Sequence, residues 1–184
     1  MPPFPISGLT AQIRRVPGTF QVMPRPDIRP ARPQDCAKLH ELILGLATYE
    51  RLAHLAVGTV EMLRAELFAP RPVIGAALVW ESDRAVGFAL WFSTYSTFLA
   101  RQGLWLEDLF VIPEARGKGY GKALLKHCAR LAVERGCGRF EWSVLDWNTP
   151  SIEFYKAAGA TLMDDWTICR MTGEALERFA RDEG

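Results

Sequence analysis

Hydrophobic positions recur along this chain with two different periods, which predicts strands and helices in mixed order. Runs rich in Val, Ile, Trp and Phe predict strands, whereas apolar residues three and four positions apart predict helices. The predicted strands cover residues 28–29, 73–81, 85–94, 104–112, 139–145, 161–163 and 166–171. The predicted helices cover about 33–46, 59–68, 122–135, 148–159 and the residues from 172 onward. This order predicts an α/β (α+β) fold with a mixed central sheet of about six to seven strands and helices on both faces.

The composition indicates a single domain that follows a short N-terminal extension. Residues 1–26 hold six of the twelve prolines and little periodicity, which predicts a loosely ordered segment ahead of a domain at 27–184. A net charge of +1 indicates neither nucleic acid nor a membrane surface as a partner, and no apolar run reaches the roughly 18 residues of a membrane span. Four scattered cysteines and three histidines show no metal-ligand spacing. We therefore expect no metal and a reducing, cytoplasmic location.

The stretch 105–135 contains the main candidate chemistry. A predicted strand with two acids, Glu107 and Asp108, stops at Pro113, and the hexapeptide 116–121 (Arg-Gly-Lys-Gly-Tyr-Gly) leads into a predicted helix. A strand, a glycine turn and a helix N-terminus in this order present backbone N–H groups to a phosphate.

Three phosphate-binding designs compete for this loop. A Walker A loop requires one more residue before its Gly-Lys pair and a hydroxyl after it, but Ala123 follows Lys122. A dinucleotide fingerprint requires a third glycine where Lys122 stands, and the acid at a suitable distance, Glu141, lies within an apolar strand. The pattern Arg-x-x-Gly-x-Gly, which binds a pyrophosphate without a metal, matches residues 116–121 fully. A plain tight turn before a helix remains the alternative.

Further motifs distributed over residues 27–171 resemble one family. They lie at residues 28–31, 35–36, 48–50, 92–95, 106–111, 116–121 and 147–156, and the last, Trp-Asn-Thr-Pro-Ser-Ile-Glu-Phe-Tyr-Lys, is the most specific. With them the chain resembles the GNAT superfamily of acyl-CoA-dependent N-acetyltransferases, and within it the diamine (spermidine/spermine) and thialysine N-acetyltransferases. The resemblance implies coenzyme A as co-substrate and a homodimer.

The resemblance also implies roles for individual residues. The backbone of 109–111 would pair with the pantetheine arm, the loop 117–122 would hold the pyrophosphate, and Tyr155 would be the general acid beside the sulfur. The cofactor-binding residues implied are Leu109, Phe110, Val111, Arg116, Gly117, Lys118, Gly119, Tyr120, Gly121, Lys122, Asn148, Ser151 and Tyr155. The substrate-binding residues implied are Tyr49, Glu50, Glu107, Trp142, Ser143 and Asp165, with Glu107 also the candidate base.

One departure bears on the substrate. The family's polyamine enzymes carry an acid where this chain has Ser96, which weakens the case for a long polycation such as spermine. Asp164 and Asp165 keep negative charge in the loop before Trp166. Shorter diamines and amino-acid amines therefore remain open as acceptors.

The chemistry of amine acetylation agrees with these residue types. An alkylamine with a pKa of about 10.4 is neutral in only about one molecule in 2,500 at pH 7. A pocket can favour the neutral form by desolvating the amine, and a carboxylate can accept its proton, directly or through water. Glu107 fits that role, although it could equally be a substrate-binding or structural acid. Because neighbours on a strand point to opposite faces, we expect at most one of Glu107 and Asp108 to face the pocket. Tyr155 could otherwise be an ordinary core aromatic.

The sequence therefore predicts an acetyl-CoA-dependent N-acetyltransferase that acts on a small primary amine by direct attack through a tetrahedral intermediate. A protein or peptide acetyltransferase is the first alternative, and it predicts an open groove. A non-catalytic acyl-CoA-binding module is the second, and the presence of both Glu107 and Tyr155 argues against it.

Overall fold

The chain forms five strands and five α-helices in the part that the structure describes. This structure is a computed structural model, and it describes residues 26–181. The strands are β1 (Asp27–Pro30), β2 (Ile74–Glu81), β3 (Arg84–Ser96), β4 (Arg101–Val111) and β5 (Phe140–Glu141). The helices are α1 (Cys36–Tyr49), α2 (Val60–Leu67), α3 (Tyr120–Glu134), α4 (Thr149–Ala157) and α5 (Gly173–Arg181). Single 3-10 turns lie at Pro33–Asp35, Ala53–Leu55 and Pro113–Ala115.

The strands form one sheet that opens along one edge. Their order is β1-β2-β3-β4-β5, antiparallel except for the parallel pair β4–β5. That last ladder contains two residue pairs, Leu104 with Phe140 and Trp105 with Glu141. Beyond them, no described strand pairs with the β5-facing edge of β4 between Leu106 and Val111. Past Trp105 and Glu141, β4 and the chain that follows β5 are no longer paired.

Two hydrophobic layers cover the two faces of the sheet. On one face α3 and Tyr155 of α4 pack against β2–β4, around Val86, Leu104 and Leu124, all fully buried. On the other face α1 and α2 pack around Leu39, Leu78, Phe88 and Phe110. Both faces of the central strands are thus buried, which explains their nearly continuous apolar sequence.

A β-bulge interrupts β4 at Glu107. Leu106 pairs with Trp91 and Asp108 pairs with Leu90, so Glu107 is an extra residue without a partner on β3. One extra residue reverses the alternation of side chains beyond it. Leu104 and Leu106 accordingly face α3, whereas Phe110, four residues after Leu106, faces α1.

The structure confirms the predicted fold class but corrects the number of strands. The described residues contain five strands rather than six to seven, because 161–163 and 166–171 form none and the predicted strand 139–145 shortens to β5. The backbone of 161–171 bonds to no other described strand, and a strand needs such a neighbour for its N–H and C=O groups. Residues 161–181 are exposed throughout.

The two ends of the chain are only partly covered by the structure. Residues 1–25 of the predicted extension lie outside the described residues. The predicted C-terminal helix is present as α5. Among residues 26–181, no helix has both the length and the apolar character that a membrane crossing requires.

Candidate active site

A cleft of about 1130 Å³ occupies the gap where β4 leaves β5. Its walls come from β4, the glycine loop, the end of α1, the chain after β5 and the start of α4. Because the sheet is open here, the cleft reaches groups from both faces. Tyr155 belongs to the α3-side core, whereas Phe110 belongs to the α1-side core, and both line the same space.

The glycine loop is shaped to receive an anion. Gly117 and Gly119 have φ angles of 77° and 82°, in the left-handed region that favours glycine. A Cβ added to either would meet no atom within 4 Å, so the space outside the loop is open. Gly119 is also the N-cap of α3, whose first turn directs unpaired N–H groups and the positive end of the helix dipole toward this space.

Side chains of the loop hold it in place from behind. The ammonium of Lys118 lies 2.6 Å from the Glu81 carboxylate, and the Tyr120 hydroxyl donates to the same carboxylate at 3.2 Å. The Lys118 ammonium thereby holds the pKa of Glu81 below its ordinary value. Arg116 donates through Nε to the carbonyl of Val111 at 3.0 Å, and its guanidinium lies 4.6 Å from the centre of the Tyr49 ring. The side chain of Lys118 is thus directed toward β2, away from the cleft.

The opposite wall is formed by the start of α4. Asn148 is the N-cap of α4 and is 5% exposed, and its side-chain oxygen accepts bonds from the backbone N–H of Ser151 and the hydroxyl of Tyr49, at 3.4 and 3.1 Å. Tyr155 lies one helical turn beyond Ser151, with its ring centre 5.0 Å from that of Trp142. Burial, and then the negative charge of Glu50, raise the pKa of Tyr155 to about 12. Its hydroxyl is therefore protonated at neutral pH.

Four carboxylates line the cleft: Glu50, Glu107, Asp108 and Asp146. The expectation that only one of Glu107 and Asp108 could face the pocket is wrong, since the bulge puts both there. Burial first, and then the charges of Glu107 and Glu50, raise the pKa of Asp108 to about 7. Burial also raises the pKa of Glu50. Glu107 is exposed and accepts a hydrogen bond of 2.9 Å from the indole N–H of Trp105.

Most of the residues selected from the sequence meet in this one cleft. The exceptions are Lys118, whose side chain points toward β2, and Asp165, which does not line the cleft. Trp166, Ile168 and Arg170 line it instead, as does Asp108. Asp108 is visible in the sequence as the second residue of a Glu-Asp pair. The bulge that turns its side chain toward the cleft cannot be recognised from the types of the residues around it.

Known proteins match this chain in sequence and in fold. The chain is 34% identical over 195 residues to L-ornithine N5-acetyltransferase of Arabidopsis thaliana, covering 82% of this chain and 86% of the relative. It is 35% identical over 164 residues to thialysine N-epsilon-acetyltransferase of Mus musculus, covering 83% and 96%. An integron cassette protein from the mobile metagenome of V. cholerae superposes with a TM-score of 0.72 at 26% identity, covering 85% of this chain and 98% of that protein.

The signature of the Acetyltransferase (GNAT) family matches residues 43–160, well over half of the chain, and includes β4, the glycine loop and α4. The two relatives named above are both acetyltransferases that align with most of the chain. This chain therefore belongs to the GNAT acetyltransferase family.

Proposed function

We propose that this protein transfers an acetyl group from acetyl-CoA to the primary amine of a small cationic acceptor, a diamine, polyamine or lysine-like amino acid. The observation that carries the proposal is the convergence in one cleft of an open glycine loop at a helix N-terminus, the Tyr155 residue and four carboxylates. The loop fits the phosphate end of the donor, and the carboxylates fit a cationic acceptor.

The cleft offers complementary groups for the pyrophosphate and the pantetheine arm of coenzyme A. The open N–H groups at Gly117–Gly119 and the start of α3 would hold the pyrophosphate. The free edge of β4 over 109–111 has backbone groups with no neighbouring described strand, which would pair with the amides of the pantetheine arm. Asn148 and Ser151 would fix the cofactor from the α4 side. Bound there, acetyl-CoA would supply an electrophilic thioester carbonyl.

The chain's own groups favour direct attack by the amine. None of the four cysteines, all of which fall within residues 26–181, lines the cleft, and burial raises the pKa of Cys128 to about 12. An acyl-cysteine intermediate therefore has no candidate in the cleft. Tyr155 holds its proton at neutral pH and can deliver it to the departing sulfur.

The four cysteines are free thiols, which fits a reducing compartment, and we propose a cytoplasmic location.

Charge in the cleft supports a cationic acceptor of limited length. Glu50, Glu107 and Asp108 surround the amine-facing part, whereas Asp164 and Asp165 lie outside the cleft lining. The relatives' names, for the N5 amine of ornithine and the epsilon amine of thialysine, support an amino-acid side-chain amine. An ornithine-like or lysine-like acceptor has one cationic amine to react and an α-amino group to be held by a second carboxylate. Tyr49, Trp142 and Ser143 would enclose it.

We also propose that the protein is a homodimer. Residues 161–181 contain large apolar side chains that the chain leaves in solvent, among them Trp166 (74% exposed), Ile168 (67%) and Phe179 (70%). Trp166 and Ile168 also line the cleft. Contact with a second copy would cover this apolar surface and close the cleft at the same time.

Sedimentation analysis over a range of protein concentrations tests the assembly. We expect a dimer in which Trp166→Ser with Ile168→Ser lowers the dimer fraction, because each change removes apolar surface that association would bury. Val133→Ser, at a side chain that is 80% exposed on α3, is the matched control and should leave the dimer intact. A monomer at all concentrations would contradict the assembly.

The acceptor class is tested with acetyl-CoA and a panel of ornithine, lysine, thialysine, putrescine, spermidine and a lysine-containing peptide. We expect thiol release with one or more of the small amines and little with the peptide, because Glu50, Glu107 and Asp108 match an acceptor with two cationic amines, whereas a peptide lysine presents one. Release with the peptide alone would indicate a protein acetyltransferase. Coenzyme binding without release on any acceptor would indicate a non-catalytic module.

The loop assignment is tested by Gly119→Val, with coenzyme A affinity measured by calorimetry. We expect affinity to fall by roughly 100-fold or more, because two charge-assisted hydrogen bonds of about 1.5–3 kcal/mol each would be lost. Gly136→Val is the matched control, since Gly136 also has a positive φ (65°) and open space at its Cβ but does not line the cleft. Equal affinity in the two variants would overturn the assignment.

The role of Tyr155 is tested by Tyr155→Phe. We expect kcat to fall by about 100-fold or more because the proton donor is lost, while coenzyme affinity changes little because the ring keeps its contacts with Trp142 and Phe154. Tyr95→Phe, at a side chain that is 62% exposed and away from the cleft, should leave kcat unchanged. Parallel losses of turnover and coenzyme binding in Tyr155→Phe would reduce Tyr155 to a packing residue.

A further inference from the structure

We propose that Asp108, rather than Glu107, accepts the proton of the acceptor amine. The inference rests on the proposed acetyl transfer, and it assigns the base to the residue that the bulge turns into the protein. Glu107 is then a substrate-binding acid at the outer rim of the cleft.

The bulge determines where each carboxylate lies. Asp108 is directly opposite Leu90, and paired residues on neighbouring strands share a face of the sheet. Leu90 belongs to the α1-side core, so Asp108 is on that side, at the free edge of β4 and inside the cleft. Glu107 bonds to the indole of Trp105 and remains exposed to solvent. The two acids thus share a side of the sheet but differ in depth.

The surroundings of Asp108 keep it unpaired. Within residues 26–181 no hydrogen-bond donor and no cation contacts its partly buried carboxylate within bonding distance. The charged groups that act on it are Glu107 on its own strand and Glu50 at the end of α1. Such a carboxylate is costly in the folded state unless a cationic ligand neutralises it.

The cationic side chains that line the cleft do not neutralise Asp108. Arg116 is occupied by the Val111 carbonyl and the Tyr49 ring, and Lys122 and Arg170 line the cleft without pairing with Asp108. Asp146, the remaining charged group of the lining, adds a further negative charge. An ammonium group of the acceptor is therefore the partner that Asp108 lacks.

Basicity also favours Asp108 as the acceptor of the proton. With a pKa of about 7, against the ordinary 3.8, its carboxylate takes a proton from an amine roughly a thousand times more readily than an ordinary aspartate. The acidic neighbours Glu107 and Glu50, which raise this pKa, lie beside the same cleft and can hold the rest of a cationic substrate. Proton acceptance and substrate binding thus fall to different carboxylates.

The proton transfers balance with Tyr155 as the second group. An N–H bond of the ammonium breaks, its proton passes to an Oδ of Asp108, and the freed lone pair forms the N–C bond to the acetyl carbon. The C–S bond breaks, the electron pair leaves on sulfur, and Tyr155 gives the sulfur a proton. The acetylated nitrogen loses its second proton to the Tyr155 oxygen, and Asp108 releases the first to water. One proton is released overall, and both residues return to their starting state.

The pH dependence of turnover tests the assignment, with Asp108→Asn and Glu107→Gln as the pair of variants. In the unaltered protein we expect kcat/KM to rise with pH through a value near 7 (the acidic limb of the pH profile), as Asp108 of the free protein loses its proton. In Asp108→Asn we expect kcat/KM at pH 7 to fall by about 100-fold or more and this limb to be replaced by a steady rise of about tenfold per pH unit, because the neutral fraction of the amine in solution grows at that rate. In Glu107→Gln we expect a raised KM and a retained limb at lower pH, because the Glu107 charge that raises the pKa of Asp108 is removed.

Stability gives a second readout that does not depend on activity. A raised folded-state pKa means that folding favours protonated Asp108, so its contribution to stability is complete below pH 4 and is lost as pH rises through about 7. Asp108→Asn removes the buried charge, so we expect its melting temperature relative to the unaltered protein to be higher at pH 8 than at pH 4. Glu107→Gln should show a smaller difference between the two pH values.

The outcomes separate the two proposals. If the unaltered protein acetylates no amine, both proposals fail. If it acetylates an amine and Asp108→Asn keeps the limb near pH 7 while Glu107→Gln loses it, only the assignment of Asp108 fails and Glu107 is the base. Should Asp108→Asn not fold, Asp108→Glu keeps the test decisive, since restored turnover with a limb displaced from 7 supports Asp108 and an unchanged limb overturns it.

Discussion

Parallel pairing between β4 and β5 ends after two residue pairs, and the cleft exists because of that early end. A continuous ladder would place a fifth full strand where the pantetheine arm is proposed to bind, and would separate the two faces of the sheet. With the ladder broken, Tyr155 from the α3 side and Asp108 from the α1 side line one space. Glu50 affects the pKa of both residues, so the two sides communicate electrostatically across the gap. The proposed donor and acceptor of protons can therefore act on one reacting centre from opposite directions.

The glycine loop depends on support from the far end of the sheet. Glu81, the last residue of β2, accepts bonds from both Lys118 and Tyr120. The ion pair is exposed and contributes little to stability by itself, but Tyr120 is 9% exposed and packs with the α3-side core. These contacts fix the start of α3, so the open N–H groups of Gly117 and Gly119 face the cleft before any ligand arrives. Less ordering of the loop is then required on binding.

The structural features that the sequence predicted correctly depend mainly on residues close together in the chain. The glycine loop and the Asn-Thr-Pro-Ser start of α4 follow from backbone conformation and capping within a few residues, and both form where they were expected. Predictions that depended on distant neighbours were less accurate. Whether 166–171 forms a strand depends on a neighbour to pair with, and no described strand supplies one. The bulge at Glu107 depends on the register between β3 and β4, which residue types do not specify. For that reason the strand pattern predicts one inward acid at this point, whereas both Glu107 and Asp108 line the cleft.

The same bulge makes β4 tolerant of a change in chain length at one position. Deleting Glu107 would join Leu106 to Asp108, which already lie on opposite faces of the sheet, so Leu104 and Leu106 would stay in the α3-side core and Phe110 in the α1-side core. Point substitutions at Glu107 leave both cores intact as well, because its side chain is exposed and its hydrogen bond within the described residues goes to Trp105. In a library built to alter acceptor preference, position 107 can thus vary in identity or be removed, whereas Leu106 and Phe110 must keep their apolar side chains.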